Sequence, residues 1–569
     1  MIRKKYCSML LGATVSSLIN ALLIISDTFI SAFFLGESAV MAINLVTPMY
    51  NLGLFIAMLL SLGIPVLYSG AMGRFNKDEA DLVLGTGLGA CLAGGLLLFI
   101  LLTVFQPIYF EMYPASEELE KLAGDYYFWM RFELLLMPVT EVMVETVFAD
   151  GDATCAVEVS VAEIVSNIAF SIILCRSMGI AGVAIGSFIA VVFRLLVSLT
   201  HLFKKTNSLH INFRYSFAIL KRAVRIALVD AGNYLFIALC TVGLNVFVGW
   251  RFGEEYIIIV SVIMLVQEFM LLFDGIGVAI SPIISVYLSE KCTPGVRKIW
   301  HYAMVTVLIE GFAVMLLVIL MSGWIPDALG ITDSVMARTI TLGIRILTAG
   351  MVFICYLYLH TSYYRLREMI WISFAISAMR DVLVVVPTTI ICGMLFGIPG
   401  CFIGVTAGAI LAFILTMLFG YKKYGVDDFP LLLNELERDQ NCYLYELKVV
   451  PDQVITTRDS IEKTLIKEGV NKKDIAKCML AVEETLMLVY ERNEGTKVSG
   501  ECELEIANDK ITVITRDNGV SLNVTDPEMD VSSFRAFIAP GIMSKWFRNG
   551  KHLMAMSFNR NYFEFVRTR

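Results

Sequence analysis

Asp27 sits inside an apolar run, with Asn20 seven residues before it and Ser31 four after. On an α-helix those positions share one face, so the run carries a polar stripe. An Asp at the centre of a membrane helix costs roughly 2.5–3.5 kcal/mol on insertion scales, so it is expected to face a cavity or a partner. A second set, Glu163, Asn167 and Ser171, recurs at i, i+4 and i+8 and lines one face of another run. Two helices would thus offer carboxylate, amide and hydroxyl oxygens. Such hard ligands suit a Na+ cage or a proton relay. Interhelical hydrogen bonding without any transport role is the plainer alternative.

Arg380 and Asp381 lie in the middle of a later run. Adjacent residues do not face each other on a helix, so each is expected to find its partner on another helix. A structural ion pair in the second half is the other reading. Gln267, Glu268 and Asp274 are further polar candidates. Glu141 and Glu145, spaced i, i+4, lie toward the end of their run, where solvent alone would explain them. The five His form no i, i+4 pair and the twelve Cys no CxxC pair. Neither pattern reads as a metal site, and the cysteines read as small apolar packers.

The elements that must position these groups are membrane helices. The chain is 57% hydrophobic and 17% charged, against about a quarter charged in soluble domains. Twelve runs are long enough to cross a bilayer, at 9–34, 40–70, 82–106, 124–149, 155–176, 179–203, 218–250, 256–288, 299–323, 336–360, 367–395 and 399–421. The first reads as an uncleaved helix after a basic start. Arg3, Lys4 and Lys5, the Lys204–Arg225 loop, Lys291 to Lys298, Arg365 and Arg367, and Lys422 and Lys423 all fall on one side. The positive-inside rule therefore places both termini in the cytoplasm. A net charge of −7 argues against a nucleic-acid partner.

Gly179-Ile-Ala-Gly182 opens span 6 and Gly397-Ile-Pro-Gly400 opens span 12. Pro65 and Pro282 are separated by nearly the same offset, as are Glu163 and Asp381. The expected fold is therefore all-α and polytopic, with two parallel six-helix repeats at 1–210 and 211–425. A polar linker, 426–440, leads to a cytoplasmic α+β domain at 441–569. It has strand-like runs at Tyr443–Val450, Cys502–Ile506 and Lys510–Thr515, and a helical stretch at Lys472–Glu491.

Over residues 8–423 the chain resembles the MATE (multidrug and toxic compound extrusion) family. The carrying segments are SDTFISAFFLGESAVMAINLVTPMY, GIPVLYSGAMGRFNKDEA, FADGDATCAVEVSVAEIVSNIAF, MGIAGVAIGSFIA and RDVLVVVPTTIICGMLFGIPGCFIG. The resemblance implies two lobes around a cleft and export of amphipathic organic cations in exchange for Na+ or H+, with no required cofactor. It implies an inner-membrane location and a small-molecule partner. It assigns the cation site to Asp27 and Asn167. Many members carry an Asp where this chain has Ser171, and Glu163 is a candidate to compensate. A flippase for lipid-linked saccharides is the alternative within the same superfamily.

The tail is similar to the GHKL ATPase fold of the anti-sigma-factor kinases. Ala481-Val-Glu-Glu484 resembles its N-box helix, Asp517-Asn-Gly519 its adenine motif, and Pro540-Gly541-Ile542 a reduced glycine motif. Asn559-Arg560 is expected just before a last strand. In that family an N-box Asn holds Mg2+; here the position is Leu488, which cannot ligate a metal. The resemblance implies a degenerate domain that binds ATP or a regulatory protein, or a membrane-tethered signalling regulator.

Overall fold

A computed structural model describes residues 2–424, 441–520, 542–548 and 559–567, apart from short interruptions near 74, 113, 151, 205, 213, 290, 368 and 508. The linker 426–440 and Gly541 lie outside these residues, as do the side chains of Asn20 and Asp274.

The first half comprises α1 (Ile2–Leu35), α2 (Glu37–Ser61), α3 (Gly63–Gly73), α4 (Lys77–Phe110), α5 (Glu117–Ala149), α6 (Ala153–Met178) and α7 (Ile180–Leu199). The second comprises α8 (Phe217–Phe252), α9 (Ile257–Phe269), α10 (Asp274–Ser289), α11 (Thr293–Met321), the short α12 (Ile325–Ala328), α13 (Ser334–Leu366), α14 (Ile370–Ala378), α15 (Val385–Phe396) and α16 (Ile398–Tyr424). Side-chain caps set several starts. Asn76, Ser116, Asp152 and Asp333 each accept from a backbone N–H of the following turn. Pro65 has no N–H to offer the Ser61 carbonyl, and the helix breaks between α2 and α3 just before it.

Among the described residues nine helices are long and apolar enough to cross a membrane. The other three expected spans are helical too. Span 1 lies in α1 and includes the apolar stretch Ile25–Leu35. Span 4 is α5, whose first turn carries Glu117, Glu118 and Glu120. Span 8 is interrupted between α9 and α10 by a 3-10 turn at Met270–Phe273.

The two halves share one backbone device. Gly179 ends α6 at φ 63°, ψ −141°, and Gly397 ends α15 at φ 67°, ψ −147°. This left-handed region suits glycine. Three residues on, a Cβ on Gly182 would sit 2.2 Å from the Leu174 carbonyl oxygen, and one on Gly400 2.0 Å from that of Cys392. Each pair therefore makes the same tight reversal, packing one helix against the backbone of the last. Across the halves, buried Asn44 of α2 donates to Asn245 of α8 at 2.8 Å.

By contact density the chain divides into two units, Gly12–Val278 with Met304–Leu418, and Met1–Leu11 with Ala279–Ala303 and Phe419–Arg569. In the second unit, β1 (Asn441–Lys448), α17 (Pro451–Lys467), α18 (Lys472–Arg492), β2 (Ser499–Ile506), β3 (Lys510–Asp517), β4 (Ile542–Arg548) and β5 (Asn559–Val566) build the tail. The antiparallel sheet runs β1-β2-β3-β5-β4. One sheet face, with Leu447, Leu504, Val513 and Phe563, packs on Val454, Ile461, Val482 and Leu486 of the helices. Burying each such side chain is worth about 1.5–3 kcal/mol. Asn559 and Arg560 are the first residues of β5 rather than preceding it, because both pair with β3.

Candidate functional site

Asp27, near the C-terminal end of α1, is gathered by donors from three other helices. Ser187 of α7 donates to its Oδ2 at 2.6 Å, and Tyr126 of α5 to the same oxygen at 3.3 Å. Asn167 of α6 donates from Nδ2 to Asp27 Oδ1 at 3.3 Å and to Ser187 Oγ at 2.9 Å. Its Oδ1 accepts from Ser26 at 2.8 Å. The α6–α7 reversal at Gly179 brings Asn167 and Ser187 to the same level. Hydrogen bonds from several donors favour the charged form of a carboxylate, and a dry interior opposes it. The arrangement also concentrates oxygen ligands around one point.

Glu133, two turns after Tyr126 on α5, accepts from Tyr50 of α2 at 2.8 Å and is only 5% exposed. It and Asp27 are electrostatic neighbours. Beyond it lies a charged group: Arg194 of α7 meets Glu141 at 2.9 Å and Glu163 at 3.3 Å. Glu141 is 6% exposed, so solvation does not explain it. Glu163 is thus committed to an arginine. Ser171 donates to the Val183 carbonyl at 3.3 Å, where α6 and α7 pack closely at Gly186.

In the second half, the expectation that adjacent Arg380 and Asp381 find separate partners is corrected. Arg380 Nε and Nη2 bond the two oxygens of Asp381 at 2.7 and 2.6 Å. A π-helical turn at Met379–Leu383 interrupts the regular 3.6-residue spacing on which that expectation rested. Arg380 also lies over the Tyr358 ring at 3.6 Å and reaches Asn233. Gln267 and Glu268 join the pair around a cavity of about 30 Å3, room for a water or two. The positions that correspond to Asn167 and Ser187, counted from the glycine turns, are Val385 and Val405, which line this cavity. Among the described residues, the amide and hydroxyl of the Asp27 site thus have apolar counterparts in the second half.

A second charged cluster lies at the α5–α6 turn. His201 sits between Asp150 and Asp152, each 2.8 Å from a ring nitrogen. Tyr68 and Ser208 also bond Asp150. Burial alone would raise the Asp152 carboxyl; Lys204, the Cys155 N–H and His201 outweigh it and hold the group down at about 2. A larger cavity of about 560 Å3 lies between α2 and α4, with an almost wholly apolar lining that includes Ile56, Leu60, Leu97 and Leu101. It has no charged group to orient an ion.

Sequence reasoning missed Ser187, Tyr126, Tyr50 and Glu133. Glu133 carried a readable signal, an acid inside an expected span. The Asp27–Ser187 pairing joins residues 160 positions apart, and no periodicity reports that.

In the tail, Asp517 is buried, and its Oδ1 accepts from Gly519 N at 3.0 Å and Asn559 Nδ2 at 2.8 Å. Leu488 of α18 packs against the tail core, and Glu484 on the same helix is half-buried.

Residues 13–173 match the family model described as MatE. No curated protein matches the chain. Among solved structures, an inward-facing multidrug resistance MATE family transporter of the MOP superfamily aligns at a TM-score of 0.65 and 20% identity, over 71% of this chain and 94% of that one. A MATE in complex with MaL6 aligns at 0.63 and 19%, over 74% and 96%. The MATE multidrug transporter DinF-BH aligns at 0.63 and 20%, over 75% and 97%. The chain is a multi-pass membrane protein with the fold of these transporters.

Proposed function

We propose that the chain exports amphipathic organic compounds in exchange for an inward-moving Na+ or H+, by alternating access of its two halves. The observation that carries this reading is the convergence of Ser187, Asn167 and Tyr126 on Asp27. A coupling ion that binds or protonates this carboxylate competes with those donors. It shifts the conformational equilibrium by its differential affinity for the two states. Both termini lie in the cytoplasm and the protein sits in the inner membrane on this reading. Flux of a cationic dye in proteoliposomes, with Na+ and pH gradients imposed separately, tests it. One gradient alone should drive uptake, and no response to either would refute the proposal.

The lipid-linked saccharide alternative needs free basic groups for a pyrophosphate. Arg194 and Arg380 are each neutralised by carboxylates. Arg131 bonds Thr103 and lies over the Phe128 ring. This weighs toward export of neutral or cationic compounds. For the tail we propose a regulatory role. Leu488 stands where Mg2+ would need a ligand, and Asp517 Oδ1 is engaged by Asn559, so a protein partner fits better than ATP. Retention of a fluorescent ATP analogue by the purified protein would overturn that preference.

A further inference from the structure

The tail sheet has a second face, and it is not apolar. On β1, β2 and β3 it presents Cys442, Glu446, Glu501, Glu503 and Arg516, as the register requires. Such a face on a soluble domain normally meets water. Here Glu501, Glu503 and Arg516 are each at most 1% exposed. The end of α10 and the start of α11, within the same compact unit, meet this face. Tyr287 of α10 donates to Glu501 at 2.8 Å, and Arg516 lies over the Tyr287 ring at 5.1 Å. Lys298 of α11 pairs with Glu446 at 2.6 Å.

Inside this contact three ligand atoms converge. Cys292, fully buried at the start of α11, Cys442 of β1 and Glu503 of β2 bring two sulfurs and a carboxylate oxygen within 4.8 Å of one another. Cys442 Sγ is 3.9 Å from Glu503 Oε1. Tetrahedral zinc with bonds near 2.3 Å to sulfur and 2.0–2.2 Å to oxygen needs such atoms about 3.5–3.8 Å apart, so movements of about 1 Å would close the site. The other oxygen of Glu503 is already held by Arg516 Nη2 at 2.6 Å. That is the outer-shell bond that aims a ligating carboxylate. Two soft sulfurs select against Mg2+ and Ca2+. Exchanging two thiol protons for one dication leaves the net charge of the buried cluster unchanged. The spacing of these cysteines along the chain hides the site, because its ligands come from three separate segments.

We propose that Cys292, Cys442 and Glu503 bind one zinc ion, which fastens the first two strands of the tail to the start of α11. Water completes the fourth position.

The test uses the full-length protein in detergent, purified through a tag without histidine and stripped with chelator. Co2+ serves as the optical probe and Zn2+ as its competitor. One equivalent of Co2+ should give a thiolate-to-cobalt charge-transfer band that Zn2+ abolishes, and Cys442→Ser should lose the band. Zn2+ should slow alkylation of Cys442 at least tenfold in the otherwise unaltered protein and leave the exposed Cys7 unaffected. This second readout needs no variant to fold. Absence of the band, equal alkylation of Cys442 with and without Zn2+, undiminished binding in Cys442→Ser, or a Cys292–Cys442 disulfide in the freshly purified protein would each overturn the proposal.

Discussion

Ser187 Oγ lies 2.6 Å from Asp27 Oδ2, tying the seventh helix to the first at the one carboxylate that the first span carries. Hydrogen bonds to a charged group contribute about 1.5–3 kcal/mol. Ser187→Ala is therefore expected to change the ion concentration for half-maximal dye efflux by about tenfold, while membrane insertion stays intact. Efflux from energised cells across a series of Na+ and pH values measures it. An unchanged ion dependence would detach Ser187 from coupling.

Much of this site is legible in the sequence. Asp27 and Asn167 stand out because an acid or an amide in hydrocarbon must have a reason to be there. The glycine pairs 179/182 and 397/400 mark the repeat because a left-handed turn and a backbone contact both exclude a side chain. The tail strands β1, β2 and β3 and helix α18 fall close to where alternation and helical periodicity put them. The partners do not show. Ser187 and Tyr126 look like ordinary helix residues until long-range packing sets them beside Asp27. Arg380 and Asp381 mislead because regular helical spacing is the natural assumption where a π turn occurs. The burial of the charged sheet face of the tail does not show either, because the residues that meet it, Tyr287 and Lys298, come from distant helices.

Removing Arg380 should be costly. Its side chain is 2% exposed and engages both oxygens of Asp381. Breaking a buried pair from one side costs about 3–5 kcal/mol, whereas replacing both partners with apolar groups of similar size is often near neutral. Arg380→Met alone should lower the melting temperature in detergent, and adding Asp381→Leu should recover most of the loss. Equal melting of the single and double variants would show that the pair does not act as a unit.

The reversal glycines permit a sharper comparison. A methyl at Gly182 or Gly400 would strike a backbone carbonyl, which cannot rotate away, whereas one at Gly124 would meet nothing within 4 Å. Gly182→Ala and Gly400→Ala are each expected to destabilise by about 1–3 kcal/mol or more. Gly124→Ala, at a half-buried position of α5 with open space beside it, should be neutral or stabilise by about 0.5–1 kcal/mol. Thermal unfolding of the three variants, followed by size-exclusion fluorescence, reads the difference.

Asp152 gives a pH dependence with a definite sign. Its carboxyl is held down at about 2 in the folded protein, against 3.8 ordinarily. The ionised form is favoured by folding, so the contribution is fully present above about pH 4 and is lost as pH falls toward 2. Allowing for solvent screening at this helix start, it amounts to about 1 kcal/mol. Asp152→Asn should flatten the acid limb of the stability curve and lower stability at neutral pH by a similar amount. An acid limb identical to that of the unaltered protein would contradict this.

The central claim is that Asp27 changes its ionic partner as the protein cycles. It is tested most directly by loading proteoliposomes with Asp27→Asn protein and measuring gradient-driven dye transport beside dye binding. The account predicts dye binding within a few-fold of the unaltered protein and no transport under either a Na+ or a pH gradient. Gradient-driven transport at the unaltered rate would contradict it.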